Sequence, residues 1–231
     1  MSDKDNALPL SAAGARLKNS KGARGLSREA IAEEALALME ESGDSGFTIR
    51  KLAARMGYDP MSILYHFKSK DGVLRAMADR MEEQIRPAPP DRPWRGRMRH
   101  LADQYRSLAL RYPNSFWLMQ KFLHTGHADF LHMEMVHGAL TEAGIAEREI
   151  PALCLGWYGC ITGLAVGETG GLIRPAEAVD MAEVADLPEK SYPLLKKAMP
   201  LYNDLAPSTV FSLSVEVFLD GIRERSKMQS L

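Results

Sequence analysis

Helix-start signals recur at short intervals between Thr48 and Gln84, and this spacing restricts the fold more than any other feature of the chain. Thr48, Asp59 and Ser69 are residue types whose side chains accept hydrogen bonds from free N–H groups at a helix start. Pro60 follows Asp59, at a position where a helix loses nothing by lacking an N–H. The pattern predicts two short helices, a turn and the start of a longer helix.

A further helix is predicted immediately before this stretch. Ser27 suits its N-cap, and Leu26 can contact Ile31 across the first turn. Gly43 is expected to end the helix. Residues 1–26 show no apolar periodicity and contain basic side chains without intervening acids, so they are expected to form a flexible basic arm.

Cations occupy the helix starts of this segment. Arg50 and Lys51 fill the first turn of the second predicted helix, and Lys68 and Lys70 flank the start of the fourth. A helix amino end already carries partial positive charge, so an anion there would meet free N–H groups and cations together. Two such ends around a short helix suit a DNA duplex, with backbone contacts on either side and the middle helix in the major groove.

The positive charge is local to the amino-terminal part of the chain. Residues 16–75 hold eleven Lys and Arg against eight Asp and Glu, a net of +3, whereas the whole chain has a net charge of -1. A uniformly basic nucleic-acid binder is therefore excluded, and the charge distribution favours one nucleic-acid-binding domain.

Four prolines between Pro87 and Pro93 interrupt the helical pattern, so we place a domain boundary there. This predicts a DNA-binding domain over 27–86 and a larger all-α ligand-binding and dimerisation domain over 87–231. We expect an acidic, irregular loop from Gly170 to Lys190. Residues 211–217 alternate like a strand, but the length of the segment favours a helix. The helices predicted in this domain span 94–111, 114–124, 128–143, 149–169, 191–200 and 207–226.

An uncharged run from Ile150 to Gly167 raises the question of a membrane span. It contains Pro151 and has acidic flanks, so we predict a helix buried in protein and no membrane association. Cys154 and Cys160 lie on different faces of that helix, and we expect no disulfide between them. With no signal peptide evident, a cytoplasmic location is expected.

The residues that carry these signals resemble the DNA-binding domain of TetR-family transcriptional regulators. The matching motifs are FTIRKLA at 47–53, MG at 56–57 and YHFKSKD at 65–71. Residues 108–110, 158–168 and 192–222 are more weakly similar to the tetracycline-repressor branch. The resemblance implies a homodimeric repressor that a small molecule releases from a palindromic operator, with no enzymatic activity and no cofactor.

The resemblance also assigns roles at the DNA interface. Thr48, Tyr65, His66 and Lys70 match positions that touch phosphate or the groove wall, and Lys68 joins them through the helix-end argument. The positions that match base-reading residues are Arg50, Met61 and Ser62. Arg50 is the candidate for guanine through a bidentate contact. Leu64 departs from the tyrosine that many family members have at this place.

Two helices are candidates for the dimer interface. In 149–169, Gly159, Gly163 and Gly167 recur every fourth residue, a pattern that lets another helix approach closely. In 207–226, an apolar stripe consists of Phe211, Val215, Phe218 and Ile222. The resemblance implies that both helices pack with their symmetry mates as a four-helix bundle, and an intrachain core is the alternative.

A ligand cavity is implied by the resemblance, and its aromatic and Met candidates indicate a small apolar or aromatic ligand. Tyr112 stands where the tetracycline repressor has a histidine that holds drug-bound magnesium, so tetracycline itself is not expected. Glu168 matches an acidic residue of that metal site. The other candidate lining residues are Phe116, Trp117, Met119, Gln120, Phe122, Leu123, Met133, Trp157 and Tyr158.

Two alternatives remain open. The first is an all-α metal-dependent enzyme that uses the histidines at 124–137, namely His124, His127, His132 and His137; their spacing does not place them on one helix face. The second is a dimeric regulator without a small ligand, in which the second domain only dimerises or binds another protein.

Overall fold

The computed structural model describes residues 26–122 and 125–229, and within these ranges it contains helices and no strand. The all-α prediction is therefore confirmed. Most of the predicted basic arm, residues 1–25, lies outside the described residues. The amino-terminal domain consists of α1 (Arg28–Gly46), α2 (Ile49–Met56), α3 (Pro60–Phe67) and α4 (Lys70–Glu82).

Side-chain caps begin each of these helices where the sequence predicts. The Ser27 hydroxyl accepts from the Ala30 N–H at 3.1 Å, and the Thr48 hydroxyl accepts from the Lys51 N–H at 3.1 Å. The Asp59 carboxylate caps α3, with Pro60 in its first turn. The Ser69 hydroxyl caps α4. All four predicted helix starts are confirmed.

Glycines end or interrupt two of these helices. Gly57 closes α2 in the left-handed conformation, with φ of 78°, where a side chain would be strained. Gly43 has φ of 65° and ψ of 175°, which breaks the helical backbone of α1 at the position predicted for its end.

The remaining helices form the larger domain, and one predicted loop is wrong. The segment 170–190 contains α9, which starts with reciprocal hydrogen bonds between Glu177 and Asp180, an acidic variant of the capping box. Within the predicted helix over 114–124, residues 114–117 form turns and α6 covers only Leu118–Lys121. The bounds are α5 (Trp94–Arg111), α6 (Leu118–Lys121), α7 (His127–Glu142), α8 (Ile150–Thr169), α9 (Ala178–Ala185), α10 (Pro193–Tyr202) and α11 (Pro207–Gln229).

One apolar core runs through both groups of helices. Helix α4 contacts α1 and α3 on one side and α6 and α7 on the other, and it buries Met77 and Met81 completely. Helix α5 packs against α7, α8 and α11 around Tyr105 and Trp157, which are also buried. The fourth helix is thus shared by the DNA-binding and the larger domain.

By length and composition, the helical stretch Glu147–Thr169 could cross a membrane, with a mean hydropathy of 1.5. Trp157, Ile161 and Ala165 of this stretch are nevertheless fully buried inside the protein. Helix α8 packs against α5, α7 and α11, as a core helix does.

Candidate DNA interface, ligand cavity and dimer face

Helices α2 and α3 each have one side buried in the core and one side exposed to solvent. Leu52 and Ala53 of α2, and Ile63 and Phe67 of α3, pack into the core. On the outer side, Met61 is 68% exposed and Tyr65 is 85% exposed. Large apolar side chains held outward on a short helix indicate a surface that contacts a partner.

The amino ends of α2 and α4 flank this surface. Thr48 and Arg50 are exposed at the start of α2, and Lys70 is exposed at the start of α4. Lys68 ends α3 with a φ of 64°, and its N–H donates to the Leu64 carbonyl. A single turn therefore separates the outer face of α3 from the basic start of α4.

His66 and Ser62 also lie on α3. Each is positioned beside an exposed apolar neighbour, and the His66 ring contacts the Tyr65 ring edge to face at 5.7 Å. The His66 backbone carbonyl accepts a hydrogen bond from Arg28, whose guanidinium lies 4.2 Å from the centroid of the Phe67 ring. These contacts hold the end of α3 against the start of α1. Nζ of Lys70 lies 5.5 Å from the centroid of the Phe47 ring, so the start of α4 is close to the start of α2.

A cavity of about 450 Å³ lies between the carboxyl end of α4 and the helices of the larger domain. Five of the candidate ligand residues line it, namely Met119, Gln120, Phe122, Met133 and Tyr158. Leu123 falls outside the described residues. The other lining residues are Glu82, Tyr105, Thr125, Asp129, Leu155, Gly159 and Thr162.

Two aromatic candidates lie in the core and do not line the cavity. Phe116 and Trp157 are completely buried in the core. Phe116 packs edge to face against Tyr105, with ring centroids 6.4 Å apart, and Trp157 packs against Phe218 at 5.4 Å. These residues support side chains of the wall and of α11.

Three other candidates have polar partners elsewhere. The Tyr112 hydroxyl donates to Gln84 at 3.1 Å, and the indole N–H of Trp117 donates to the Asn114 carbonyl at 3.1 Å. Both oxygens of Glu168 accept hydrogen bonds of 2.7 Å from Arg106. None of the three is among the residues that line the cavity.

Glu82, the buried carboxylate of the wall, is not among the site residues predicted from the sequence. The Tyr105 hydroxyl donates to its Oε1 at 2.7 Å, and Nδ1 of His132 lies 2.8 Å from its Oε2. The sequence does contain a pattern that indicates burial of Glu82. This residue falls four positions after Ala78 and three before Ile85, at helical spacing, and both of these residues are buried. A charged residue in such a stripe indicates a buried polar contact.

Burial and nearby negative charges both raise the pKa values of groups around the cavity. Burial raises the pKa of the Tyr158 hydroxyl, and the nearby Glu82 and Asp129 raise it further. Burial also raises the pKa of the Cys154 thiol to about 11, with a smaller contribution from Asp129. Burial and the neighbouring carboxylates thus both disfavour the ionised form of these two groups.

The candidate dimer residues differ in their surroundings. Gly159 and Gly163 are exposed on α8, whereas a Cβ on Gly167 would lie 3.0 Å from Cδ1 of Ile173. On α11, Phe218 is half-buried. The buried members of its stripe, all within the protomer, are Phe211, Val215 and Ile222.

An exposed apolar surface remains on the same two helices. Leu213 and Val217 of α11 are 63% and 64% exposed, and Leu155 of α8 is 54% exposed. Helices α9 and α10 also expose Val179, Leu194 and other large apolar side chains. Apolar surface of this extent indicates a protein partner.

Among residues 26–122 and 125–229, no group of three or more His, Cys, Asp and Glu side chains is arranged to hold a metal ion. His132 contacts Glu82, and His124 lies outside the described residues.

Comparisons with known proteins agree with this architecture. Residues 33–77 match the family of bacterial regulatory proteins named tetR, and residues 86–226 match the tetracyclin repressor-like C-terminal domain. The tetracycline repressor protein class A from transposon 1721 of Escherichia coli is 28% identical over 203 residues, which cover 84% of this chain and 89% of the relative.

Solved structures share the fold over nearly the whole molecule. A putative transcriptional regulator from Streptomyces coelicolor A3(2) is 28% identical, with a TM-score of 0.69, over 87% of this chain and 98% of the other. The Streptomyces coelicolor protein ActR, in complex with actinorhodin, has a TM-score of 0.78 at 17% identity, over 87% of this chain and 99% of the other.

The helix-turn-helix and the helical domain with its cavity define a DNA-binding transcriptional regulator that responds to a ligand. The chain belongs to the tetR family of bacterial regulatory proteins, because the family models match both its domains and well over half its length. The predicted family resemblance is confirmed.

Proposed function

We propose that two copies of this chain form a dimer that represses transcription in the bacterial cytoplasm by binding a palindromic operator, and that a small molecule in the cavity releases it. The observation that carries this proposal is the course of α4. Its first residue, Lys70, stands at the candidate DNA surface, and its last residue, Glu82, lines the cavity. Thirteen helical residues span about 20 Å, so one rigid element joins the two sites.

At the operator, Arg50, Met61 and Ser62 reach base edges in the major groove. The exposed position of Arg50 at the start of α2 supports this role, and so does the outward side chain of Met61. The phosphate and groove-wall contacts come from Thr48, Tyr65, His66, Lys68 and Lys70.

The dimer places two reading heads about 34–36 Å apart, or a multiple of that distance, along the duplex. Gly159 and Gly163 of α8, together with the apolar face of α11 around Phe218, form the contact with the second copy. The exposed Leu213 and Val217 support this assignment, because a second copy supplies the apolar cover that they need.

The ligand acts through linkage. If it binds better to the conformation in which the reading heads are wrongly spaced, it weakens operator binding by the same factor by which the operator weakens ligand binding. Equal affinity for both conformations would shift nothing. Gln120 and Tyr158 contact the ligand directly, and Phe116 supports the wall through Tyr105.

The residues that match the magnesium site of the tetracycline repressor do not line this cavity. The carboxylate of Glu168 is occupied by Arg106, and Tyr112 contacts Gln84 instead of lining the wall. A neutral phenol is also a poor Mg²⁺ ligand. The effector is therefore a different small molecule with an apolar or aromatic body.

Selection of bound DNA from a random duplex pool, at a stated salt concentration, tests the proposal. The expected product is an inverted repeat whose half-site spacing fits a two-fold symmetric dimer. Sedimentation of the purified protein provides the oligomeric state. A monomer without sequence preference at moderate ionic strength would refute the proposed function.

A further inference from the structure

The cavity has an apolar part and an acidic part. Met119, Phe122, Met133 and Leu155 supply the apolar surface. Glu82 and Asp129 supply carboxylates, and among the lining residues that the structure describes there is no Lys or Arg. An aromatic or aliphatic body fits the first part, and the second favours a positive charge.

The two carboxylates come from different helices and are both nearly inaccessible to solvent. Glu82 is 2% exposed at the end of α4, and Asp129 is 8% exposed in the first turn of α7. His132 contacts Glu82, and a protonated imidazole there adds a single positive charge. Glu82 and Asp129 are the charged side chains among the described residues that line the cavity.

Two buried hydroxyl groups at the cavity give independent evidence for a polar ligand group. Within the described part of the chain, the hydroxyl oxygens of Tyr158 and Thr125 have no hydrogen-bond partner. Both residues line the cavity. A buried polar atom without a partner costs free energy, and a ligand that supplies the hydrogen bonds removes that cost.

The charges of the two carboxylates act on the tyrosine hydroxyls at the cavity. Burial raises the pKa of Tyr105 and Tyr158, and the charges of Glu82 and Asp129 raise both further. Two cations, Arg75 and Lys121, do approach the Phe122 ring at 4.7 and 5.4 Å, but neither lines the cavity.

We propose that the effector of this regulator is an organic cation, with an aromatic or aliphatic body and one protonated amine that pairs with Glu82 and Asp129. This inference rests on the proposed function and names the chemical class of the ligand. The amine donates hydrogen bonds to the two carboxylates, and the hydroxyls of Tyr158 and Thr125 complete its surroundings. Because Glu82 ends α4, the cation acts directly on the helix that begins at the DNA surface.

Three matched compounds test the charge requirement: 4-phenylbenzylamine, 4-phenylbenzyl alcohol and 4-phenylbenzoate. They share one aromatic body and differ in charge. Calorimetric titration of the full-length protein at pH 7 is expected to give the amine at least about tenfold higher affinity than the alcohol, with the benzoate weakest. The amine is also expected to release a fluorescent operator duplex at lower concentration than the alcohol.

Two single variants test whether Glu82 and Asp129 are the carboxylates that bind the amine. Glu82→Gln and Asp129→Asn should each lower the affinity for the amine about tenfold or more and leave that for the alcohol unchanged. Glu83→Gln is the matched control, because Glu83 directly follows α4, is exposed and pairs with Arg80 outside the cavity. It should leave the preference for the amine intact. Circular dichroism and thermal denaturation of each variant report whether it folds.

The proposal is overturned if the amine binds no better than the alcohol, if it shows no binding at millimolar concentration, or if both cavity variants keep the wild-type preference. Should Glu82→Gln fail to fold, Asp129→Asn decides alone. Release of the operator by the alcohol or the benzoate would overturn the cationic ligand and leave the ligand-responsive repressor intact. Failure of the unliganded protein to bind any operator would instead refute the proposed function.

Discussion

Glu82 and His132 join the DNA-binding domain to the larger domain, with Oε2 of the carboxylate 2.8 Å from Nδ1 of the imidazole. Both side chains are almost fully buried, at 2% and 3% exposure. Tyr105 donates a hydrogen bond to the other oxygen of Glu82. Helix α4 therefore cannot move relative to α5 and α7 without breaking buried polar contacts, which makes the end of α4 a point where a ligand can influence DNA binding.

Arg50 and Lys70 are predicted to contribute differently to operator binding. Arg50→Ala should cost about 1–3 kcal/mol on the specific operator and relax the choice of base at one position. Lys70→Ala should weaken binding to all sequences alike and lower the salt slope by about 1. Fluorescence anisotropy on specific and random duplexes over a salt series measures both effects. Identical behaviour of the two variants on both duplexes would contradict this division of roles.

Gly72 is predicted to be required for the close packing of α3 against α4. A Cβ at this position would lie 2.1 Å from the backbone oxygen of Phe67, which cannot move away as a flexible side chain can. Gly72→Ala should therefore destabilise the protein by about 1–3 kcal/mol despite the better helix propensity of alanine. Chemical denaturation followed by circular dichroism measures the free energy of unfolding.

Gly138→Ala is the control for this substitution. Gly138 lies in α7, and a Cβ added there would meet nothing within 4 Å, so alanine should stabilise the protein by up to about 1 kcal/mol. Equal effects at the two glycines would argue against a steric role for Gly72.

Asp79 is predicted to destabilise the folded protein at neutral pH. Burial raises its pKa, and the nearby Glu83 and Asp129 raise it further. A carboxyl group whose pKa is higher in the folded state contributes stability below its unfolded pKa and loses it as pH rises. Asp79→Asn should thus raise the melting temperature at pH 7, and the gain should shrink as pH falls toward about 4.

Glu216 is predicted to have the opposite effect to Asp79, because it stabilises the folded protein at neutral pH. Hydrogen bonds from Arg95 and Arg99 lower its pKa, so its contribution is present at neutral pH and is lost in acid. Glu216→Gln should lower the melting temperature at pH 7, modestly because the pair is partly exposed, with the loss shrinking toward about pH 4. Parallel pH profiles for the two variants would refute the assignment of the shifts.

Substitutions on the exposed and the buried face of α11 are predicted to affect dimerisation and folding separately. The side chain of Val217 is 64% exposed in the protomer. Val217→Glu puts a charge at this position, so the variant should not dimerise although its protomer stays folded. Analytical ultracentrifugation and circular dichroism report the two properties. A dimer of unchanged stability in Val217→Glu would exclude this face from the interface.

Phe211→Ala is the matched substitution on the buried side of the same helix. Phe211 is 2% exposed within the protomer, so its loss should cost about 3–5 kcal/mol of folding stability. If this variant instead dissociated the dimer without loss of protomer stability, Phe211 would belong to the interface and not to the core.

The sequence by itself determined the parts of this protein that depend on local chemistry. Ser27, Thr48, Asp59 and Ser69 cap helices with hydrogen bonds to residues only two or three positions away, so their positions predict where each helix starts. The basic helix starts follow from the same local order. The capped start of α9 at Glu177 was local as well, but its acidic form and irregular surroundings concealed it.

Only the tertiary structure decided the chemistry of the cavity. Glu82 meets Tyr105 and His132 across separations of 23 and 50 residues, and no local pattern specifies which distant side chains meet. The packing of α4, α5 and α7 brings carboxylates into a space that the sequence predicted to be apolar. It also places Phe116 and Trp157 in the core, because burial depends on how helices pack and not on residue type alone.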